Sequence, residues 1–154
     1  MKERFFPEFS GCVLGDFRTV KAVERLCREE LEQIATYLYR EVLLEGDDSA
    51  LGEVFEAQAR EAAYHFRFLG RLLLALGGDF SLRMQLRMQR NSQKTDERRS
   101  VQDLLYVSLC EKRQLCAMYR SVIEDCSDGV VRSALTCILE NEERLEEQFQ
   151  HFFG

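Results

Sequence analysis

The chain has 154 residues, 45% of them hydrophobic and 31% charged, with nine glycines and a single proline. That length suits one domain built on one sizeable core, and scarce proline among abundant charged helix formers points to an all-α fold. A balance of 21 basic against 27 acidic residues, net −6, argues against nucleic acid as a main partner, because phosphate binding needs a basic face.

Residues 1–15 read as an N-terminal arm with Phe5, Phe6 and Phe9. Asp16 is placed to cap a first helix over residues 16–45, which Gly46 stops. Asp48 or Ser49 starts a second helix over 49–77, closed by Gly77-Gly78. Residues 78–95 form a crossover with a tandem repeat, Leu82-Arg83-Met84-Gln85 then Leu86-Arg87-Met88-Gln89. Its apolar residues alternate with period two, as in an extended, half-buried strap, and Arg83, Arg87, Arg90 and Lys94 make it basic. Asp96 caps a third helix over 96–126, and Asp128 a fourth over 128–153.

The connections between helices 1 and 2 and between helices 3 and 4 are short, which makes each pair antiparallel. At roughly 3.3 Å per residue the crossover is long enough to run along a helix of about 40 Å. The expected architecture is therefore an all-α four-helix bundle with one long crossover between helices 2 and 3.

No apolar run approaches the roughly 18 residues of a membrane span, so no membrane partner is expected. The start of the chain shows no secretion signal, and the six cysteines form no Cys-x-x-Cys pair. They read as reduced thiols, mostly small and buried, of a cytoplasmic protein.

Inward seams follow from alternating three- and four-residue steps. Helix 1 reads Val20, Val23, Cys27, Glu30, Ile34, Tyr37, and helix 2 reads Leu51, Phe55, Gln58, Ala62, His65, Leu69, Leu72, Leu76. Helix 3 reads Val101, Leu104, Ser108, Glu111, Leu115, Met118, Val122, and helix 4 reads Val131, Leu135, Ile138, Glu142, Leu145, Phe149, Phe152. Each seam has one ionisable group near its middle: Glu30, His65, Glu111 and Glu142. No Lys or Arg lies on the seams near that level, and an uncompensated buried carboxylate is destabilising by several kcal/mol. The carboxylates should thus be protonated, hydrogen-bonded, hydrated or bound to a cation. Carboxylates with one imidazole suit Fe²⁺, Mn²⁺ or, less selectively, Zn²⁺. The plain alternative is a wet polar cluster hydrogen-bonded to Tyr37 and Tyr119.

These residues carry a resemblance. Glu30-Leu31 followed by Tyr37 is similar to the first helix of bacterioferritins and rubrerythrin-like proteins. Tyr64-His65 running on to Leu76-Gly77-Gly78-Asp79 resembles the second helix of small ferritin-like proteins, where a Glu-x-x-His motif precedes a Leu-Gly-Gly-Asp turn. Glu111 with Tyr119 resembles the third helix, and Asn141-Glu142-Glu143 the start of the fourth-helix motif.

The resemblance implies a di-iron carboxylate bundle, with a Glu from helices 1 and 3 and a Glu-x-x-His from helices 2 and 4. Matching positions keep Glu30, His65, Glu111 and Glu142 as metal ligands, with Tyr37 and Tyr119 as hydrogen-bonding neighbours. Two positions depart: Ala62 stands for the second-helix Glu and Leu145 for the fourth-helix His. Glu61, beside Ala62, points about 100° away from the missing ligand's direction. The expectation is a depleted centre holding one Fe or Mn ion rather than two, with at most weak ferroxidase- or peroxide-type activity, in a homo-oligomer. The alternative is a non-catalytic structural or interaction module on the same bundle.

Overall fold

The computed structural model describes residues 16–46, 49–78 and 96–153. The expected N-terminal arm and the repeat within the crossover lie outside them. Helix α1 spans Phe17–Leu43, and the Asp16 carboxylate accepts from the Thr19 amide at 2.7 Å. Gly46 ends this stretch in the left-handed region, at φ 87°. Helix α2 spans Ser49–Ala75. It closes on two backbone bonds, Gly77 N–H to Leu74 O at 3.1 Å and Gly78 N–H to Leu73 O at 2.9 Å. Gly77 sits at φ 80°, which this helix ending requires.

Helix α3 spans Val101–Asp125, five residues later than the position of Asp96 suggests. Its cap is Ser100, whose hydroxyl accepts from the Asp103 amide at 3.1 Å. Asp96 is drawn instead to Arg40 Nε at 3.0 Å, so it leaves the capping role. Helix α4 spans Gly129–His151, with Asp128 accepting from the amides of Val130 and Val131 at 2.9 and 3.1 Å.

The chain is an all-α four-helix bundle in which α1 packs chiefly on α2 and α3 on α4. One apolar cluster joins Val23, Leu26 and Cys27 of α1 to Leu69, Leu72 and Leu73 of α2, Leu115, Cys116 and Tyr119 of α3, and Val131, Leu135 and Ile138 of α4. A second joins Tyr37 and Leu44 to Leu51, Phe55 and Ala59, Leu104–Leu109 and Phe149. The start of α1 therefore lies beside the end of α2, and the ends of α2 and α3 lie together. Helices α2 and α3 run parallel, so the points that the crossover joins sit at opposite ends of the bundle. Short antiparallel loops could not make that connection.

The two clusters share no residue, and a polar layer lies between them. Tyr37, Phe55 and Phe149 close that layer on one side, with ring centroids 5.7–5.9 Å apart. Among the described residues, no helix is long and apolar enough to cross a membrane.

Candidate metal centre

Every residue read as the inward seam of α2, Leu51 through Leu76, is buried, and His65 reaches the bundle centre from its middle. The His65 Nδ1 atom lies 2.8 Å from Glu142 Oε1 and 3.5 Å from Glu30 Oε1. All three residues have no exposed surface, and one ligand atom from each lies within 4.8 Å of the others. Three helices thus bring together a buried Glu-His-Glu group that could hold a metal ion.

The groups around it fix its orientation. The Tyr119 hydroxyl donates to Glu30 Oε1 at 2.6 Å, while Glu30 Oε2 has no hydrogen-bond partner among the described residues. The Asn141 amide lies 2.6 Å from His65 Nε2 and donates to Glu61 Oε2 at 3.3 Å. Arg144 in turn donates to Asn141 Oδ1. Glu61 does not enter the layer, as its place on a regular helix requires, but it holds the side chain that holds the imidazole.

Helix α3 departs from the expected seam at the level of the layer. Leu104, Ser108 and Leu115 of that seam are buried, but so are Leu105, Leu109, Lys112, Cys116 and Tyr119 beside them. Glu111 is turned outward, about one-third exposed, and both of its oxygens accept from Arg40, at 2.8 and 3.1 Å. It is not part of the Glu-His-Glu group. Lys112 points inward instead, with its Nζ 2.7 Å from Glu142 Oε2 and 5.1 Å from the Tyr37 ring centroid. The expectation that the layer lacks a basic side chain is therefore corrected. On the seam of α1, Ile34 gives way to Gln33, and Arg40 is buried one turn beyond Tyr37.

Arg40 anchors a separate polar cluster. Besides Glu111 it reaches Asp96 at 3.0 Å and the Ser108 hydroxyl at 2.8 Å. This cluster ties the last turn of α1 to the approach and first turns of α3.

The other expected neighbours are placed as follows. Tyr37 is fully buried beneath the Lys112 ammonium, and its hydroxyl finds no hydrogen-bond partner among the described residues. Ala62 and Leu145 are both buried and offer no donor atom. Beside them Gln58 donates to the Leu145 carbonyl at 3.0 Å, and its Oε1 has no partner among the described residues. Cys27, Cys116 and Cys126 are buried free thiols, whereas Cys137 is exposed. Burial, with Glu30 one turn away, pushes the Cys27 thiol up to about 12, and Cys27 is not part of the Glu-His-Glu group.

Burial, helped by the Glu142 charge, pushes Glu30 up to about 7. Burial also works against charge on His65, but the two carboxylates outweigh it and raise the imidazole to about 9. Glu142 is held well below the usual carboxylate range, because Lys112 and His65 overcome its burial. Burial likewise opposes the Lys112 charge, and Glu142 more than compensates, so the ammonium is retained.

No protein-family model matches the chain, and no curated protein does.

Proposed function

We propose that this is a ferritin-like bundle protein whose central layer binds one iron or manganese ion through Glu30, His65 and Glu142. The observation that carries this reading is the convergence of those three ligands, all buried, from three different helices. Two carboxylates and one imidazole suit Fe²⁺ or Mn²⁺. Glu30 Oε2 supports it further, because a buried carboxylate oxygen without a partner is destabilising unless something binds it.

Iron bound there would supply one-electron chemistry with O₂ or peroxide. The chain's own part is to orient and to exclude water. Tyr119 fixes the rotamer of Glu30, and Asn141 braces the far edge of the imidazole. His65 must release its Nδ1 proton to accept a metal, so uptake competes with that proton. Ala62 and Leu145 supply no ligand, which argues against a dinuclear oxidase. The buried thiols suit a reducing cytoplasmic setting.

A second reading has its own support. Two carboxylates set against the Lys112 ammonium and an imidazolium at His65 make a neutral layer without any ion, as a structural bundle needs. Elemental analysis of the purified protein and Fe²⁺ and Mn²⁺ titration of the wild type and Glu30→Ala separate the two. Stoichiometric uptake lost in Glu30→Ala supports the metal site; no titratable uptake by the wild type retires it.

A further inference from the structure

Glu142 uses its two oxygens on two different cations. Oε1 meets His65 Nδ1 at 2.8 Å, and Oε2 meets Lys112 Nζ at 2.7 Å. A carboxylate that bridges two metal ions presents its oxygens in the same way, one to each. The His65 side of the bridge has Glu30 as a further ligand. The two positions where the resemblance expects further ligands, Ala62 and Leu145, are both buried and offer no donor side chain.

We infer that the Lys112 ammonium stands in the place of a second metal ion, so that this chain has a covalently tethered cation where a dinuclear centre would have its other metal. The inference rests on the single-ion reading above and adds the reason that the site stops at one. Lys112 is a compact point charge on a long stem, which lets the charge sit at the centre while its carbons pack in the core. The ammonium lies over the face of the Tyr37 ring, 5.1 Å from its centroid, a contact that further stabilises a cation there. It occupies Oε2 of the shared carboxylate and adds a positive charge beside the remaining ion position. It therefore acts in two ways, blocking a second ion and weakening the hold on the first.

The test counts Mn²⁺ bound per chain, by electron paramagnetic resonance of the free ion, for the wild type, Lys112→Met, Lys112→Glu and Lys112→Arg. The expected result is one ion in the wild type and in Lys112→Arg. In Lys112→Met one ion is expected to bind about 10- to 100-fold more tightly, the usual scale for a group that conditions a ligand. In Lys112→Glu, where a carboxylate replaces the ammonium, two ions are expected.

One ion in every protein with unchanged affinity overturns the resident-cation inference and leaves the single-ion reading standing. No ion in the wild type but uptake by Lys112→Met or Lys112→Glu supports the inference and retires the single-ion reading for the native chain. No uptake by any folded variant overturns both. For a variant that is unfolded without metal, recovery of its helical circular dichroism on adding Mn²⁺ counts for the inference, and failure to recover counts against it.

Discussion

Arg40 grips Glu111 with both arms of its guanidinium, at 2.8 and 3.1 Å, and so keeps that carboxylate out of the central layer. The same side chain neutralises the buried Asp96. Replacing Arg40 by Met leaves the buried Asp96 with its longer ion pair to Arg99, at 3.7 Å. The loss should therefore lie toward the low end of about 3 to 5 kcal/mol, the cost of breaking a buried pair from one side. A loss of that size in urea unfolding of Arg40→Met is expected. Glu111→Ala, in contrast, should leave Mn²⁺ binding unchanged; a large fall in affinity would put Glu111 back among the ligands.

The metal-free protein should lose stability as pH rises above neutrality. His65 is raised from 6.5 to about 9, so its proton contributes stability that is fully present below pH 6.5 and lost as pH passes about 9. Glu30, raised from 4.5 to about 7, acts in the same direction over the lower window. Glu142 acts oppositely: its lowered value contributes stability above pH 4.5 that is lost only on strong acidification. The urea midpoint of the wild type should fall between pH 7 and 9.5 more steeply than that of His65→Gln. Parallel curves for the two proteins refute this.

Tyr119 gives Glu30 Oε1 its shortest hydrogen bond, at 2.6 Å. Tyr119→Phe removes the hydroxyl and nothing else, leaving a buried carboxylate whose other oxygen already lacks a partner. Such a loss is worth about 1 to 3 kcal/mol. Thermal unfolding of metal-free protein should show it, and added Mn²⁺ should narrow the gap between variant and wild type.

At the end of α2, Gly77→Ala forces an L side chain into φ 80°, a penalty of about 1 to 2 kcal/mol. Gly78→Ala has a different fault, since its Cβ would overlap the Leu73 side chain and crowd Val20. Both should lower the unfolding midpoint, whereas Gly52→Ala, where a Cβ meets open space inside a helix, should not lower it.

All eight seam residues of α2 are buried, because their three- and four-residue steps follow one face, though Ala59, Phe68 and Leu73 beside them widen the buried stripe. Asp16, Gly46, Gly77 and Asp128 marked ends by local chemistry that needs no tertiary partner. The level meeting of Glu30, His65 and Glu142 followed from counting turns. Helix α3 was ambiguous, because Ser108 belongs to two adjacent stripes and Glu111 and Lys112 are neighbours of opposite charge. What decides between them is Glu142, thirty residues on, and Arg40 on another helix, neither of which periodicity can weigh. Asp96 was misread for the same reason: a carboxylate before a helix signals a cap unless a buried guanidinium claims it. Asn141 was visible as part of a motif, but its contact with His65 depends on the rotation of α4 against α2.

The polar layer splits the oily interior into two separate compartments. Coiled helices with unbroken greasy seams are free to slip past one another by a heptad, about 10.5 Å, and still find hydrocarbon opposite hydrocarbon. Here such slippage would push an ammonium, an imidazole or a carboxylate into oil with no counterion. The layer works as a key in a lock, allowing only one alignment of the four rods, whether or not an ion ever turns it.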